Sequence, residues 1–208
     1  MKKKVAFTLL LCMAWALSAS AQQTVESIRK EYQAVHEMIA QMTPSGDDVP
    51  EIPPEYYDLQ VLQNLPGTGP HKENIRMFYG EEEQKDEEEY NPYPPHFLRF
   101  ATAKYNFAAR EFYEEYLYDA KGRVLFIYAL TPDIGDETIP YELRLYFDGE
   151  HLLRFTAKKL EDQRKSTFKE EFSGKTIPEK FRRETNRCQQ RAERFLTMFK
   201  GIDDNTYL

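Results

Sequence analysis

The chain has 208 residues, a length that suits one domain with a sizeable hydrophobic core. Its 28 basic and 35 acidic side chains give a net charge of −7, which argues against nucleic acid as a partner. The charge is also uneven, because residues 22–150 carry −15 and residues 151–200 carry +7. Either these two parts face each other or the basic part meets an anionic partner.

The N-terminus has the pattern of a signal peptide. Three lysines precede the apolar run Val5 to Leu17, which is too short to span a bilayer. Small residues then lead to Ala21, after which we place the cleavage. The sequence thus predicts a signal peptide over residues 1–21 and a single exported domain over residues 22–208, periplasmic or extracellular. No later run is apolar for 18 residues, so no transmembrane segment is expected.

The two cysteines bear on this interpretation. A lipoprotein would use Cys12, but that site needs a small residue where Leu11 stands, and the cut would fall inside the apolar run. Cleavage after Ala21 leaves Cys188 alone, which excludes an internal disulfide and a cysteine-based structural zinc site. Its position in the apolar seam of a predicted helix favours a buried, reduced thiol.

The first predicted element of the exported chain is a helix. Its apolar residues recur at intervals of three and four, and they are Val25, Ile28, Tyr32, Val35, Ile39 and Met42. The segment Thr43 to Gly46 ends it. Two alternating runs, Tyr57 to Gln63 and Ile75 to Tyr79, then predict short strands joined by the loop Pro66 to Pro70.

Residues 81–95 are predicted to form a flexible acidic and proline-rich loop. The carboxylates between Glu81 and Glu89 repel one another and have no apolar face to bury. Calcium binding is the functional alternative, since calcium prefers carboxylate oxygens. However, the ligand spacing and the turn glycine of a calcium loop are both missing.

The aromatic-rich remainder predicts five more strands and a last helix. The strands are Phe97–Phe107, Phe112–Tyr118, Val124–Leu130, Tyr141–Phe147 and Leu152–Ala157. Val124–Leu130 is apolar on both faces, which is typical of a central strand covered on both sides. Tyr141–Phe147 alternates, which favours an edge or half-exposed strand. The helix runs from Pro178 to a cap at Gly201, with an arginine row on one face (Arg183, Arg187, Arg191 and Arg194).

Two segments share the order strand, aromatic residue, Asp, Gly, strand, and both predict hairpins. In the first, Asp119 starts a type I turn and Gly122 takes the left-handed position after it. In the second, Asp148 and Gly149 fit a two-residue type I′ turn. The chain is therefore predicted to be an α+β domain, an antiparallel meander of about five to seven strands with an N-terminal and a C-terminal helix packed on it.

The first hairpin resembles a YD repeat, the Tyr-x-Tyr-Asp-x-x-Gly-Arg pattern of large secreted repeat proteins. Tyr116, Tyr118, Asp119, Gly122 and Arg123 match. The resemblance covers about a dozen residues, and the second hairpin lacks the arginine, so the long hollow shell of that family is not implied. The layout of the chain also resembles small secreted proteins of unknown function from Gram-negative gut and oral bacteria.

No catalytic motif stands out. The four histidines lack metal-pair spacing, no serine lies in a nucleophile elbow, and no glycine-rich loop precedes a helix. No cofactor or metal is therefore expected, and acidic pairs such as Glu114 with Glu115 are too common to single out. The candidate binding residues are aromatic or basic, and they are Tyr56, Tyr57, Tyr90, Tyr93, Arg183, Arg187 and Arg191.

These features favour a non-enzymatic exported protein that binds a partner, such as an envelope protein or a peptide, or contributes to the envelope. The first alternative is a secreted hydrolase with an unrecognised acidic active site. The second is an anion-binding module that uses the arginine row of the last helix.

Overall fold

The computed structural model describes residues 23–42, 55–81, 94–162 and 164–206, and these form one antiparallel sheet with a helix on each face. The elements in chain order are α1 (Val25–Met42), β1 (Tyr56–Leu65), β2 (Gly69–Glu81), β3 (His96–Phe107), β4 (Arg110–Tyr118), β5 (Val124–Thr131), β6 (Tyr141–Asp148), β7 (His151–Asp162), β8 (Thr167–Gly174) and α2 (Glu179–Thr206). The strands pair in the order β1 to β8, so the predicted meander between two helices is confirmed.

The sheet has eight strands, and the prediction of five to seven was therefore too low. The strand that the sequence did not indicate is β8, which pairs with β7 along Phe155 to Asp162. Its side chains are exposed or half-buried throughout, and it carries three charged residues near its centre. Its sequence therefore lacks the alternating apolar signal from which the other strands were predicted.

The core lies in two layers because successive side chains of a strand point to opposite faces. In β4, Tyr116 and Tyr118 are buried under α2, whereas Leu117 between them is buried under α1. In β5, Leu125, Phe126 and Ile127 are all buried. A strand with both faces buried lies in the interior of the sheet, as the apolar run of β5 predicts.

Strand β6 was predicted to be an edge or half-exposed strand; it is an interior strand, so the edge alternative was wrong, and the face with Glu142 and Arg144 is half-buried. It pairs with β5 on one side and with β7 on the other. Its polar positions Glu142 and Arg144 point to the α1 side, where their charged groups lie 3.0 Å apart and Lys158 lies 3.3 Å from the carboxylate. Because these charged groups pair with one another, their side chains can be half-buried. The alternating sequence alone suggested that they would be exposed.

The first hairpin turn forms as predicted. The amide of Gly122 donates to the carbonyl of Asp119 at 2.9 Å, and Gly122 takes the left-handed conformation with φ of +76°. The carboxylate of Asp119 also accepts hydrogen bonds from the amides of Lys121 and Arg123 at 3.0 and 2.8 Å. The guanidinium of Arg123 contacts the same carboxylate at 2.7 Å. The Asp, Gly and Arg that match the YD pattern therefore all serve the turn.

The second hairpin differs from its prediction by one position. Asp148 pairs with His151, so the two-residue loop consists of Gly149 and Glu150. Gly149 has a positive φ of +59°, whereas neither Asp148 nor Glu150 has a positive φ. A glycine at the first central position is the pattern of a type II′ turn, and the type I′ turn over Asp148 and Gly149 is therefore wrong.

Several predictions fall on residues that the structure does not describe. These are the signal peptide over residues 1–21, the acidic segment after Glu81, and the tyrosines Tyr90 and Tyr93.

Candidate functional site

Helix α2 crosses its face of the sheet and leaves a cleft on each side. Near its start, Phe181 packs against Tyr141 of β6, with 5.6 Å between ring centroids. Near its end, Phe199 packs against Tyr57 of β1 at 6.0 Å. Between these points Tyr118 of β4 donates a hydrogen bond of 2.9 Å to a backbone carbonyl of the helix. The aromatic seam of α2 thus fixes the helix across the strands, and the strand ends project on either side of it.

The larger cleft, which we call the arginine cleft, has a volume of about 740 Å³. It lies where β2 begins, β3 ends, β4 begins and β5 ends. Six cationic side chains line it, and they are Arg110, Lys180, Arg183, Arg187, Arg191 and Arg194. The acidic lining is Glu73, Asp133 and Glu184. Phe107 lies at its mouth with 41 % of its surface exposed, and the guanidinium of Arg110 lies 5.4 Å from the centre of that ring.

The floor of the arginine cleft is built on the fully buried carboxylate of Glu114. It accepts hydrogen bonds from the hydroxyls of Tyr105 and Tyr116 at 2.7 and 2.6 Å. Arg191 donates to it from Nε at 2.6 Å and Arg187 from Nη2 at 3.2 Å. Burial, with this carboxylate as the next largest cause, raises the pKa of both tyrosines well above its ordinary value. The hydroxyls therefore stay protonated and act as donors.

Arg191 joins two buried carboxylates with one guanidinium. Its Nε donates to Glu114 at 2.6 Å and its Nη2 to Glu73, also at 2.6 Å. Its Cζ lies 4.2 Å from the ring centre of Tyr105, and only 13 % of the side chain is exposed. The fork geometry of arginine suits this bridging role, which a lysine could not fill.

The predicted arginine row therefore divides into members with different roles. Arg187 and Arg191 point inward and are held by carboxylates, and Arg187 also contacts Glu184. Arg194 is half-exposed and lies 3.7 Å from Glu73. Arg183 is exposed at the rim. Of the row, Arg183 and Arg194 are the cations most accessible to a ligand.

The inward ion pairs also explain the uneven charge of the sequence. Carboxylates of the acidic part, Glu73 and Glu114, meet arginines of the basic part. Lys180 contacts Glu137 at 2.7 Å, and Lys159 contacts the same carboxylate at 2.6 Å. Much of the asymmetry is therefore neutralised where the two parts face each other.

A second polar cluster lies at the start of α2. The ammonium of Lys180 contacts Tyr141 Oη, Glu137 and Glu171 at 2.7 to 2.8 Å. Hydrogen bonds from Lys159, Lys180 and Tyr141 lower the pKa of Glu137 to about 2. The pKa of Glu171 is also lowered: burial acts in the opposite direction, but the bonds from Lys180 and Tyr141 prevail. Both carboxylates are thus ionised, so neither is the protonated carboxylic acid of a two-carboxylate acid–base pair.

Glu115 lies on the opposite face of the sheet from Glu114, because adjacent residues of a strand alternate. It is buried under α1, where it accepts a hydrogen bond from Tyr113 at 2.6 Å and another from Tyr32. His36 Nε2 lies 3.4 Å away. Although burial opposes ionisation, the nearby imidazole of His36 and the hydrogen bonds from Tyr113 and Tyr32 together lower the pKa of Glu115. Glu114 and Glu115 therefore cannot act together as acid and base.

None of the four histidines lies in a loop: His36 is on α1, His71 and His96 lie in strands, and His151 is exposed at the start of β7. His71 lies in β2, where its Nδ1 is 2.6 Å from the carbonyl of Asn106 and its Nε2 is 3.9 Å from Glu73. His96 begins β3 and contacts Asp203 of α2 at 2.8 Å. Both histidines lie near the start of their strands, and because β2 and β3 are antiparallel they are at opposite ends of this strand pair. Within the described residues, no cluster of His, Cys, Asp or Glu has the geometry of a metal site.

The predicted aromatic binding residues Tyr56 and Tyr57 lie at the start of β1, one on each face. Tyr57 is half-buried beneath the end of α2 and donates to Asp203 at 2.8 Å. Tyr56 packs on Phe78 and lies 5.6 Å from the guanidinium of Arg76. Alternation places them on different faces, so they do not form one aromatic surface.

The smaller cleft, on the other side of α2, has a volume of about 570 Å³. One wall is made by the two hairpin turns at Gly122 and Gly149. The facing wall is polar, and its members on α2 are Asn186, Gln189, Gln190 and Glu193. The two turn glycines therefore line a cleft that the sequence did not indicate.

Cys188 lies on α2 and is fully buried between the helix and the sheet, as its place in the apolar seam predicts. Burial raises the pKa of the thiol far above its ordinary value, and Glu114, 4.0 Å from the sulfur, adds to the shift. This thiol is therefore part of the core.

Comparison of the chain with protein-family models, with curated proteins and with solved structures finds no match. In the part of the chain that the structure describes, no helix is long and apolar enough to cross a membrane.

Sequence reasoning missed the principal acidic residues of the arginine cleft, Glu73 and Glu114. The available signal was a single glutamate at an inward position of an otherwise apolar alternating strand. In β4, Glu114 occupies the same face as Phe112, Tyr116 and Tyr118. A carboxylate in such a row implies a buried partner, and the arginine row of α2 supplies it.

Proposed function

We propose that the protein is a non-enzymatic exported binding protein, and that its ligand site is the arginine cleft. The observation that supports this proposal is the arrangement of the charged groups in that cleft. The carboxylates of Glu73 and Glu114 lie behind the guanidiniums and are almost wholly buried, whereas the exposed rim presents Arg183 and Arg194. A ligand entering the cleft thus meets hydrogen-bond donors first.

The ligand class follows from these donors and from the aromatic mouth. Guanidinium groups favour carboxylate or phosphate, with which they form paired hydrogen bonds. The exposed ring of Phe107 favours an apolar group on the same molecule. The volume of about 740 Å³ fits a molecule of a few hundred daltons. The site therefore suits a small amphiphilic anion, such as an aryl phosphate or the acidic end of a bound peptide.

The carboxylates of the cleft limit the electrostatic attraction, because Glu73, Glu114, Asp133 and Glu184 together offset four of its six cationic charges. Binding should thus depend on short-range hydrogen bonds more than on a long-range field, and should weaken only modestly with salt. This behaviour distinguishes the site from a simple basic patch.

The test uses phenyl phosphate as probe, with inorganic phosphate and phenol as its two halves. We expect phenyl phosphate to bind more tightly than either half in calorimetry. Replacing both Arg183 and Arg194 by glutamine should weaken binding at least about tenfold, the equivalent of one lost charged hydrogen bond. Arg164→Gln removes an exposed cation from the β7–β8 connection and serves as the control. Equal weakening by the control variant would contradict the assignment of the site.

One observation favours the hydrolase alternative. Glu184 lies in the arginine cleft, and burial raises its pKa although Arg187 opposes the shift. A carboxyl with a raised pKa in a cleft is a candidate general acid. Under this alternative, phenyl phosphate or an aryl ester would be hydrolysed, and Glu184→Gln would abolish turnover. Under the binding proposal, the probe is recovered intact.

A further inference from the structure

The sheet has two edges among the described residues, because β1 and β8 each pair with one neighbour only. An edge strand presents backbone N–H and C=O groups that have no partner in the sheet. Such strands are usually protected by charged side chains, proline, bulges or short length, since they otherwise pair with other chains. The two edges of this protein differ in this protection.

The β8 edge is protected. Its eight residues include Lys169, Glu170 and Glu171 in succession, and all three are exposed. Its pairing with β7 is interrupted by two irregularities, one after Ala157 and one after Leu160. Charge and a broken register both oppose the addition of another strand.

The β1 edge carries none of these protections. It is ten residues long, contains no proline, and pairs with β2 in unbroken register from Tyr56 to Leu65. Its one charged residue is Asp58, which is held by Arg76 of β2 at 2.9 Å. From Leu59 to Leu65 the strand is uncharged, and the side chain of Leu62 is 72 % exposed.

We propose that the protein forms a homodimer in which β1 pairs antiparallel with β1 of a second copy. The uncharged stretch permits self-pairing, because a strand paired with its own copy about a two-fold axis would otherwise bring like charges together. The alternative contact of β1 with β8 of another copy would build an open filament, and the charges and bulges at β8 oppose it. Of these two contacts, the β1–β1 dimer is therefore favoured, because it uses only the unprotected edge.

Self-pairing of β1 would bury apolar side chains on both faces of the joined sheet. Leu59 and Val61 are half-buried on the α2 side, and Leu62 is exposed on the α1 side. A neighbouring strand would cover all three, and it would supply partners for the free backbone groups of the edge. The dimer does not depend on the arginine cleft, so the two proposals can fail separately.

Sedimentation velocity of the purified protein tests the proposal, with the chain mass measured by denaturing mass spectrometry. We expect a species of twice the chain mass at micromolar concentration. Leu62→Lys adds a charge at an exposed site and should raise the dimer dissociation constant at least about tenfold, with unchanged circular dichroism. Thr167→Lys adds the same charge to the exposed start of β8 and should leave the dimer intact.

A second variant, Gln60→Pro, removes a backbone donor from the open side of the edge strand and should also give monomer; the bond from the Tyr79 amide to the Glu55 carbonyl shows that the odd-numbered residues of β1 bond to β2 and the even-numbered ones face away from it. If it fails to fold, Leu62→Lys still decides. A native protein that stays monomeric up to about millimolar concentration, well above the affinity of typical specific dimers, would overturn the proposal. A dimer that survives Leu62→Lys, or one that Thr167→Lys dissociates, would do so equally.

Discussion

Removing the carboxylate of Glu114 is expected to be the most destabilising single change near the arginine cleft. Glu114→Ala leaves the hydroxyls of Tyr105 and Tyr116 without their acceptor, and it deprives Arg187 and Arg191 of a shared carboxylate. Breaking a buried ion pair by removing one partner costs about 3–5 kcal/mol. The lower end applies here, because each arginine keeps one other carboxylate.

The expected loss is therefore about 3 kcal/mol, which for a domain of this size lowers the melting temperature by about 6–12 °C. Urea denaturation followed by far-ultraviolet circular dichroism measures it. Glu111→Ala is the matched control, since Glu111 lies in the same strand but is exposed. If Glu114→Ala costs less than about 1 kcal/mol, the network does not hold α2 to the sheet as argued.

Combining Glu114→Ala with a change at Arg191 tests whether the two groups act together. Arg191→Met keeps most of the apolar stem of Arg191 and removes its charge, so the carboxylates of Glu73 and Glu114 lose their bridge. In the double variant with Glu114→Ala, the cost should be smaller than the sum of the two single costs, because contacting charges are coupled. Strict additivity would mean that the two groups act independently.

Three further outcomes are expected. Gly122→Val should lower the free energy of unfolding by about 1–2 kcal/mol, since φ is +76° and the new Cβ would lie 3.2 Å from Leu196. Gly122→Asn should lower it less, because asparagine tolerates this conformation. The thiol of Cys188 should react with Ellman's reagent only after denaturant is added, because it is buried and its pKa is raised. The pKa of Glu137 is lowered to about 2, so its ionised form stabilises the fold above the ordinary pKa of 4.5, and this contribution is lost as pH falls towards 2. Glu137→Gln should therefore flatten the acid limb of a stability–pH curve.

The sequence predicted the order and nature of most elements because their signals are local. Alternation in Tyr141 to Phe147 and the three-and-four spacing in α2 are properties of neighbouring residues. Strand β8 was missed for the same reason, since an edge strand with half-buried and charged residues has no local apolar period. The turn at Gly149 was misplaced by one residue, because its register depends on which residues pair across the hairpin.

The site was less accessible to sequence reasoning because its contacts join distant residues. Arg191 lies 118 positions from Glu73 and 77 from Glu114, and neither spacing is visible in a linear pattern. The arginine row was recognised correctly as a face of α2, but its orientation was not. A helix face points to solvent or to a buried carboxylate depending on the strand beneath it.

The adjacent residues Glu114 and Glu115 show how one local pattern acquires two opposite roles. Strand alternation sends Glu114 to α2 and Glu115 to α1, and each becomes the polar centre of its layer. Under α2 the carboxylate meets guanidiniums, whereas under α1 it meets tyrosine hydroxyls and His36, so the two layers differ in charge. The guanidinium-rich layer is also the one with the wider cleft. Because a buried carboxylate holds the inner arginines, the cleft can present fixed donors at its surface without collapsing onto its own acids, and this preorganisation is what a binding site on this face requires.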